Sequence, residues 1–597
     1  MTRIFQALAA ALLLSVPATA QQVSDAVAPE AQTDAGAAFT GVSDRIDAAL
    51  QAKASGQPVT ADSWMIAAAN PLAAQAGADV LEAGGSAADA MVAAQAVLGL
   101  VEPQSSGLGG GAFLVWYDAA SGQVTTLDGR ETAPLKATPT LFQDEQGAPL
   151  KFFDAVVGGL SVGTPGTPQL MQEAHRRWGR ANWHDLFDDA IALADGGFAV
   201  SPRLAEMVAR DADRLARFPA TADYFLPAGQ PIAAGQVLTN PDYADTLRQI
   251  AVHGADALYH GPIAEDIVRT VRTAPGNPGT LSMLDLSIYH VVERPAVCVP
   301  YRGNDVCGMG PPSSGALTVG QILGLLDRYD LAALGAQNPE AWRLIGDASR
   351  LAFADRGRYM ADTDFVPVPV QGLVAPEYLD ARAALLGGDD ALPEVSPGTP
   401  DFDHALLWAD DASIELPSTS HISIVDAYGN ALSMTTTVEN AFGSRLFVRG
   451  FLLNNELTDF SFRTHADGIP IANRVEPGKR PRSSMAPTIV MKDGTARLVI
   501  GSPGGSRIIG YVAKSIVAYL DWGMDVQQAV ALPHLVNRFG TYDIEAGTEA
   551  EAMAPQLEAL GYQVNTRDLN SGLHAISLGD GLTGGADPRR EGIALGD

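Results

Sequence analysis

The amino-acid sequence predicts an α/β protein, and three observations predict it. Residues 419–439 alternate apolar and polar side chains on either side of Tyr428-Gly429-Asn430, the period-two pattern of paired strands about a turn. Residues 71–98 are Ala-rich and read as helix, broken at Gly84-Gly85. Residues 107–111 form a glycine turn that enters Ala112-Phe113-Leu114-Val115-Trp116-Tyr117, an apolar, aromatic stretch suited to a buried strand.

In chain order, Arg3, the apolar residues 7–16 and the small-residue site Ala18-Thr19-Ala20 before Gln21 have the layout of a secretory signal over residues 1–20. That apolar run is too short to span a bilayer. No later run reaches spanning length without Gly, Asp, Lys or Gln, so a soluble periplasmic or secreted protein without a membrane partner is expected. Residues 21–63 are rich in Ala, Gln, Asp and Gly with little periodicity and read as a mobile N-terminal arm, with order beginning near Trp64. Helical patterns dominate 168–255. A hairpin is expected about Arg302-Gly303, then helices over 317–329 and 339–358. Residues 386–415, rich in Asp, Gly, Pro and Ala, read as an exposed, strand-free lead-in that ends in Leu416-Pro417-Ser418.

The chain carries 39 basic and 69 acidic residues, a formal net charge of −30 that argues against nucleic acid or an anionic membrane as a partner. Cys298 and Cys307 stand opposite each other in the expected hairpin. Export permits oxidation, and opposed strand residues bring Cβ atoms near disulfide range; a free buried pair is the alternative. Two thiols with no neighbouring His or Cys cannot close a tetrahedral zinc site. The glycines of 107–111 lack the Lys-Ser/Thr or the G-x-G-x-x-G spacing that a nucleotide site needs.

The 419–439 hairpin carries the candidate chemistry. Thr419, His421 and Ser423 share one face of its first strand, and Thr435, Thr437 and Glu439 one face of its second. If those faces coincide, hydroxyls and a carboxylate converge on Thr419, with Thr437 placed to hydrogen-bond it. A threonine hydroxyl is barely ionised at neutral pH and needs a base within reach. Cutting the chain between Ser418 and Thr419 supplies one, because the freed α-amino group has a pKa of about 8. It can take the hydroxyl proton and return it to a leaving group. Without such a cut, a Thr-Ser pair opening a half-buried strand is ordinary β-sheet sequence.

Other segments put this hairpin in context. In order they are Asn70-Pro71, Gly84-Gly85-Ser86-Ala87-Ala88-Asp89-Ala90, Glu102-Pro103, Gly107-Leu108-Gly109-Gly110-Gly111, Asp128-Gly129-Arg130-Glu131-Thr132-Ala133-Pro134, and Pro311-Pro312-Ser313-Ser314-Gly315. Leu453-Asn454-Asn455-Glu456-Leu457-Thr458-Asp459-Phe460, Lys479-Arg480-Pro481-Arg482-Ser483-Ser484-Met485, Gly501-Ser502-Pro503-Gly504-Gly505-Ser506-Arg507 and Asp587-Pro588-Arg589 follow. Together with the Thr419 segment, this ordered series resembles the γ-glutamyltranspeptidases, N-terminal-nucleophile hydrolases matured by self-cleavage.

The resemblance implies a four-layer αββα sandwich built from two subunits of one autoprocessed precursor. The large subunit would take residues 64–418 and the small catalytic subunit 419–597, the two forming a heterodimer. It implies that Thr419 attacks the γ-amide of glutathione or another γ-glutamyl compound. The acyl group then passes to water or to an amino-acid or dipeptide acceptor. No cofactor or metal is implied.

On the matching motifs, Arg130 is the arginine that pairs with the donor α-carboxylate, a task for a planar guanidinium. Asp459 holds the α-ammonium, Ser483 and Ser484 receive the α-carboxylate, and Glu439 and Glu456 fall where the family contacts the amino group. Gly504 and Gly505 form the oxyanion hole, where missing side chains let backbone N–H groups approach. His421 is not needed as a base. Two departures stand out. Glu439 and Glu456 replace the Asn and Gln of many bacterial members, which makes the pocket more acidic. Residues 460–482 have no tyrosine and are shorter than a covering lid loop, so a more open pocket is expected.

Two alternatives remain. A cephalosporin or glutaryl acylase of the same superfamily would use Thr419 on a substrate without an α-ammonium, opposite which Asp459 is costly to desolvate. A catalytically inactive γ-glutamyl-peptide binding protein would need a damaged nucleophile or glycine loop, and both are intact.

Overall fold

The computed structural model describes residues 36–404, 407–411, 413 and 415–597. The expected signal, 1–20, and residues 21–35 of the expected arm lie outside the described residues.

Two antiparallel seven-stranded sheets lie face to face, and helices cover both outer faces, giving the expected αββα sandwich. The first sheet runs in the order Ile593–Gly596, Met65–Ala68, Ser420–Val425, Ala431–Thr437, Gly111–Asp118, Gln123–Gly129, Val292–Arg294. The second runs Val59–Ala61, Leu582–Ala586, His574–Leu578, Thr495–Gly501, Thr488–Lys492, Asn304–Gly308, Val297–Tyr301. Helices Pro71–Glu82 and Ala87–Val101 pack on the first sheet. Gly315–Leu326 and Ile508–Leu520 pack on the second, with Pro339–Tyr359 against the former. Among the described residues no helix is long and apolar enough to cross a membrane.

Local chemistry explains the elements that frame the site. Asn70 accepts the Leu72 N–H ahead of Pro71, and Ser86 with Asp89 closes a capping box before Ala87–Val101. Every residue of that second helix is buried, which is why its sequence is nearly all small or apolar. In the hairpin, Ile422, Ile424, Leu432 and Met434 face the helices. Ser423 and Ser433 turn inward, their hydroxyls donating to the carbonyls of His574 and Ile500 on the opposite sheet, each at 3.1 Å. The polar face of the hairpin therefore lies between the sheets. Cys298 and Cys307 pair across Arg302-Gly303 and are disulfide-bonded.

Two expectations need correction. Residues 36–63 are not an unstructured arm. Ser43 accepts the Ile46 N–H to start helix Asp44–Ala54, Ile46 and Ala49 are buried, and Val59–Ala61 is an edge strand of the second sheet. A short helix with two buried positions leaves almost no periodic signal, and remote contacts hold it. Lys53 Nζ donates to the carbonyls of Arg590 at 2.5 Å and Gly592 at 2.7 Å. Among the described residues the lead-in holds no strand beyond the isolated bridge Ala409–Ile471, but its last residues are not exposed. Glu415, Leu416 and Ser418 are buried, because Glu415 is drawn inward by two arginines from other elements.

Candidate active site

The hairpin register sets His421 opposite Thr435 and Ser420 opposite Thr436, so Thr419 falls opposite Thr437. Thr419 Oγ1 donates to Thr437 Oγ1 at 3.2 Å, and Thr437 Oγ1 accepts the Glu439 N–H at 2.9 Å. The bond before Thr419 is held from both sides. Ser418 Oγ donates to the Gln104 carbonyl at 2.9 Å, Ser420 Oγ to Glu102 Oε2 at 2.6 Å, and Arg590 Nη1 to the Thr419 carbonyl at 3.1 Å. Thr419 has φ of 135°, a region that β-branched residues avoid.

His421 bridges Thr435 Oγ1 at 2.9 Å and Ser423 Oγ at 3.0 Å. Burial, then His574, pushes its pKa well below the usual value, so the imidazole is neutral and works as a hydrogen-bond strut. Gly504 and Gly505, with φ of 136° and 56°, lead into the helix Ile508–Leu520. A Cβ on Gly504 would stand 2.7 Å from the Tyr511 ring, and one on Gly505 2.8 Å from the Leu416 carbonyl oxygen. Only glycine fits either position.

Beside Thr419 lies a small polar cavity. Arg130, Thr437, Glu439, Glu456, Asp459, Ser483, Ser484 and Gly505 line it with Thr419 itself, so these predicted residues converge, whereas Ser418 and Gly504 are not among the lining residues. Its volume is about 20 Å³, room for about one water. Glu415 and Leu416, from the segment just before Thr419, also line it. Within 460–482 the short pair His465–Ala466 and Ile469–Pro470 is the only strand pairing.

Arg130 is saturated. It donates to Glu456, to Asp459 at 2.5 Å, and to the carbonyls of Pro481 at 3.2 Å and Arg482 at 2.8 Å. Burial opposes its charge, but Glu456 and Asp459 outweigh that and raise its pKa. Acids outnumber bases around it. Burial, then Asp459 and Glu456, drives the Glu439 carboxyl well above the usual range. Burial does the same to Asp459 against the pull of Arg130, with Glu415 and Glu456 adding to the rise. The Glu131 carboxyl is likewise pushed well up, by burial and then by Glu456. Asp459 Oδ1 has no hydrogen-bond donor among the described residues. Beside Arg130 the site is thus buried, short of positive charge, and leaves one carboxylate oxygen unsatisfied.

Several participants escaped the sequence reading. Asn455, whose amide donates to Glu439, and Glu131 lie inside quoted motifs but carry no spacing signal. Arg356 sits in the last turn of the helix Pro339–Tyr359, and Arg482 adjoins the two serines without a signal of its own. Glu415, four residues before the cleavage bond, looked like one more acid in a solvated stretch.

A sequence profile described as Gamma-glutamyltranspeptidase matches residues 73–597. The Glutathione hydrolase proenzyme of Bacillus subtilis (strain 168) is 36% identical over 546 residues, covering 89% of this chain and 91% of that protein. Among solved structures, the cephalosporin acylase from Bacillus halodurans superposes with a TM-score of 0.80 at 26% identity, covering 91% of this chain and 97% of that one. The Helicobacter pylori γ-glutamyltranspeptidase superposes with a TM-score of 0.54 at 35% identity, covering 56% of this chain and 96% of that one.

Proposed function

The chain belongs to the γ-glutamyltranspeptidase family, and we infer that it is a glutathione hydrolase and γ-glutamyltransferase, made as a precursor that cuts itself between Ser418 and Thr419. In the precursor the Thr419 hydroxyl attacks the Ser418 carbonyl carbon, the peptide nitrogen leaves as the new α-amine, and water hydrolyses the resulting ester. In turnover that α-amine takes the Oγ1 proton as Oγ1 attacks the γ-carbonyl of the donor. The amide groups at Gly504 and Gly505 stabilise the oxyanion, and the proton goes to the departing amine, Cys-Gly when the donor is glutathione. Water or the amine of an amino acid or dipeptide then accepts the acyl group. Thr437 orients Oγ1 throughout.

The donor head group is a zwitterion, and the substrate-free pocket holds an ion pair of matching polarity, Arg130 with Asp459. The substrate inserts between them. Its carboxylate turns to Arg130, Ser483 and Ser484, and its ammonium to Asp459, Glu439 and Glu456. This exchange leaves no charge uncompensated. The signal-like residues 1–20 support a periplasmic or secreted location.

One observation carries the assignment over the acylase alternative, which the Bacillus halodurans structure keeps in view. It is the surplus of buried acid beside Arg130, with an Asp459 oxygen left without a donor, which a donor bearing an ammonium group would complement. Asp459→Asn keeps the shape and removes the charge. The expected loss in kcat/KM on γ-glutamyl anilides is about 2–5 kcal/mol, the cost of truncating a desolvated charge pair. Glutaryl anilides should suffer much less, while Arg130→Ala should damage both donors. A wild-type preference for the glutaryl donor, or an equal loss on both, would make the enzyme an acylase.

A further inference from the structure

The residues just before the cleavage bond cross the pocket instead of the surface, and Glu415 anchors them. Arg356 Nη2 donates to Glu415 Oε1 and Ser484 Oγ to Oε2, with Arg482 Nη2 at 3.4 Å from Oε1. Arg356 Nη2 also donates to Ser484 Oγ at 2.7 Å. All four side chains are buried. Two buried guanidiniums this close repel each other, and burial, then Arg482, lowers the pKa of Arg356. Asp411 Oδ2 balances Arg482 at 3.1 Å, which leaves Arg356 in need of an anion of its own. Burial opposes charge on Glu415, yet Arg356 and then Arg482 hold its carboxyl down at about 2, so it is ionised at any working pH.

From this anchor the chain has little freedom. The backbone of Leu416 hydrogen-bonds the Glu439 carboxyl, its carbonyl lies where a Cβ on Gly505 would clash at 2.8 Å, and Ser418 is fastened to Gln104. Four residues beyond Glu415 stands the Thr419 hydroxyl beside Thr437. Ser484, which grips Glu415, is also one of the two serines assigned above to the donor carboxylate.

We propose that Glu415 is a built-in stand-in for the substrate's carboxylate: in the uncleaved chain it occupies the Arg356–Arg482–Ser484 site, positions the Ser418–Thr419 bond for attack, and keeps the donor out until cleavage releases it. The site then passes to the carboxylate of the donor. Glu415 is thus a positioning residue for maturation, and Arg356 and Arg482 join the carboxylate-binding groups. The proposal rests on Thr419 being the nucleophile.

Two measurements test it. In the otherwise native chain, Glu415→Gln should slow self-cleavage at least about tenfold, read as loss of the precursor band with time, because a loosened anchor misplaces the scissile carbonyl. Glu415→Asp, which keeps the charge, should fall between the two. In the uncleavable Thr419→Ala background, sodium acetate should raise the Tm of the Glu415→Ala double variant above its value in sodium chloride of equal ionic strength. It should leave the Tm of Thr419→Ala alone unchanged, since Glu415 already fills that site. A merely structural glutamate would lower the Tm of the double variant without creating acetate dependence. Cleavage of Glu415→Gln at the native rate, or equal acetate effects on both backgrounds, overturns the proposal. A native chain that never splits before Thr419 would instead overturn the function proposed above.

Discussion

Thr419 has φ of 135°, a conformation that costs a side chain of its kind about 1–3 kcal/mol. That torsion is defined by the Ser418 carbonyl carbon, so cleavage abolishes it, and the strain contributes to the driving force for the cut. Thr437 holds the hydroxyl that performs it. Thr437→Ala should slow both maturation and turnover about tenfold, the equivalent of one buried hydrogen bond of roughly 1.5 kcal/mol. A gel time course and kcat check this, and unchanged rates would remove Thr437 from the site. Glu439 sets a pH dependence. Its folded pKa is raised well above the ordinary 4.5 by burial and by Asp459 and Glu456, so its contribution to stability is full below about pH 4.5 and is lost as pH rises through the folded value. Glu439→Gln should therefore flatten the decline of Tm with pH above 5 and stabilise the substrate-free enzyme at pH 8 on the order of 1 kcal/mol. The difference between the two Tm curves isolates this group from Lys514, whose pKa burial lowers to about 7. Glu415 and Asp587, held at about 2, act below this window. Parallel curves would show that Glu439 is not a surplus acid. The meeting of Thr419 and Thr437 was legible because the period of two fixes which side chains share a face. The charge balance was not, because acids and bases from distant segments meet only in the fold.

At the scale of elements, the hairpin was readable because its period of two and its turn agree. Asp426 Oδ1 accepts the N–H groups of Tyr428 and Asn430, both at 3.0 Å, and Gly429 takes φ of 81°. The Cys298–Cys307 hairpin was readable for the same reason, with Arg302 and Gly303 at φ of 50° and 67°. Helix Asp44–Ala54 and the buried end of the lead-in were not, since Lys53 is held by partners 537 and 539 residues away and Glu415 by partners 59 to 69 residues away. That helix reaches the site indirectly. Lys53 grips the carbonyls of Arg590 and Gly592, and Arg590 grips the Thr419 carbonyl. Lys53→Met should cost about 1.5–3 kcal/mol, typical of hydrogen bonds from a charged donor, and slow maturation as Arg590 loosens. Denaturant unfolding of the Thr419→Ala precursor, with and without the Lys53 change, measures the first part. A native-like midpoint together with native-like cleavage would show that this helix does not support the site.

At the scale of the whole molecule, both sheets interleave strands from either side of residue 419. Met65–Ala68 lies between Ile593–Gly596 and Ser420–Val425, and Thr488–Lys492 pairs with Asn304–Gly308. No periodicity in the sequence reveals this layering. It followed from the resemblance, because strand order depends on pairings that local patterns do not encode. Interleaving also means that a cut before Thr419 separates no contacts, so the two chains should co-elute as one particle and part only on denaturation. The central claim is that the Thr419 hydroxyl cuts its own chain and then serves as the nucleophile. An intact-mass spectrum of the purified protein under denaturing conditions, beside its Thr419→Ala variant, tests this most directly. The account predicts two native chains, the smaller beginning at Thr419, and one uncut, inactive chain for the variant. A single native chain, a cut elsewhere, or efficient cutting of the variant would contradict it.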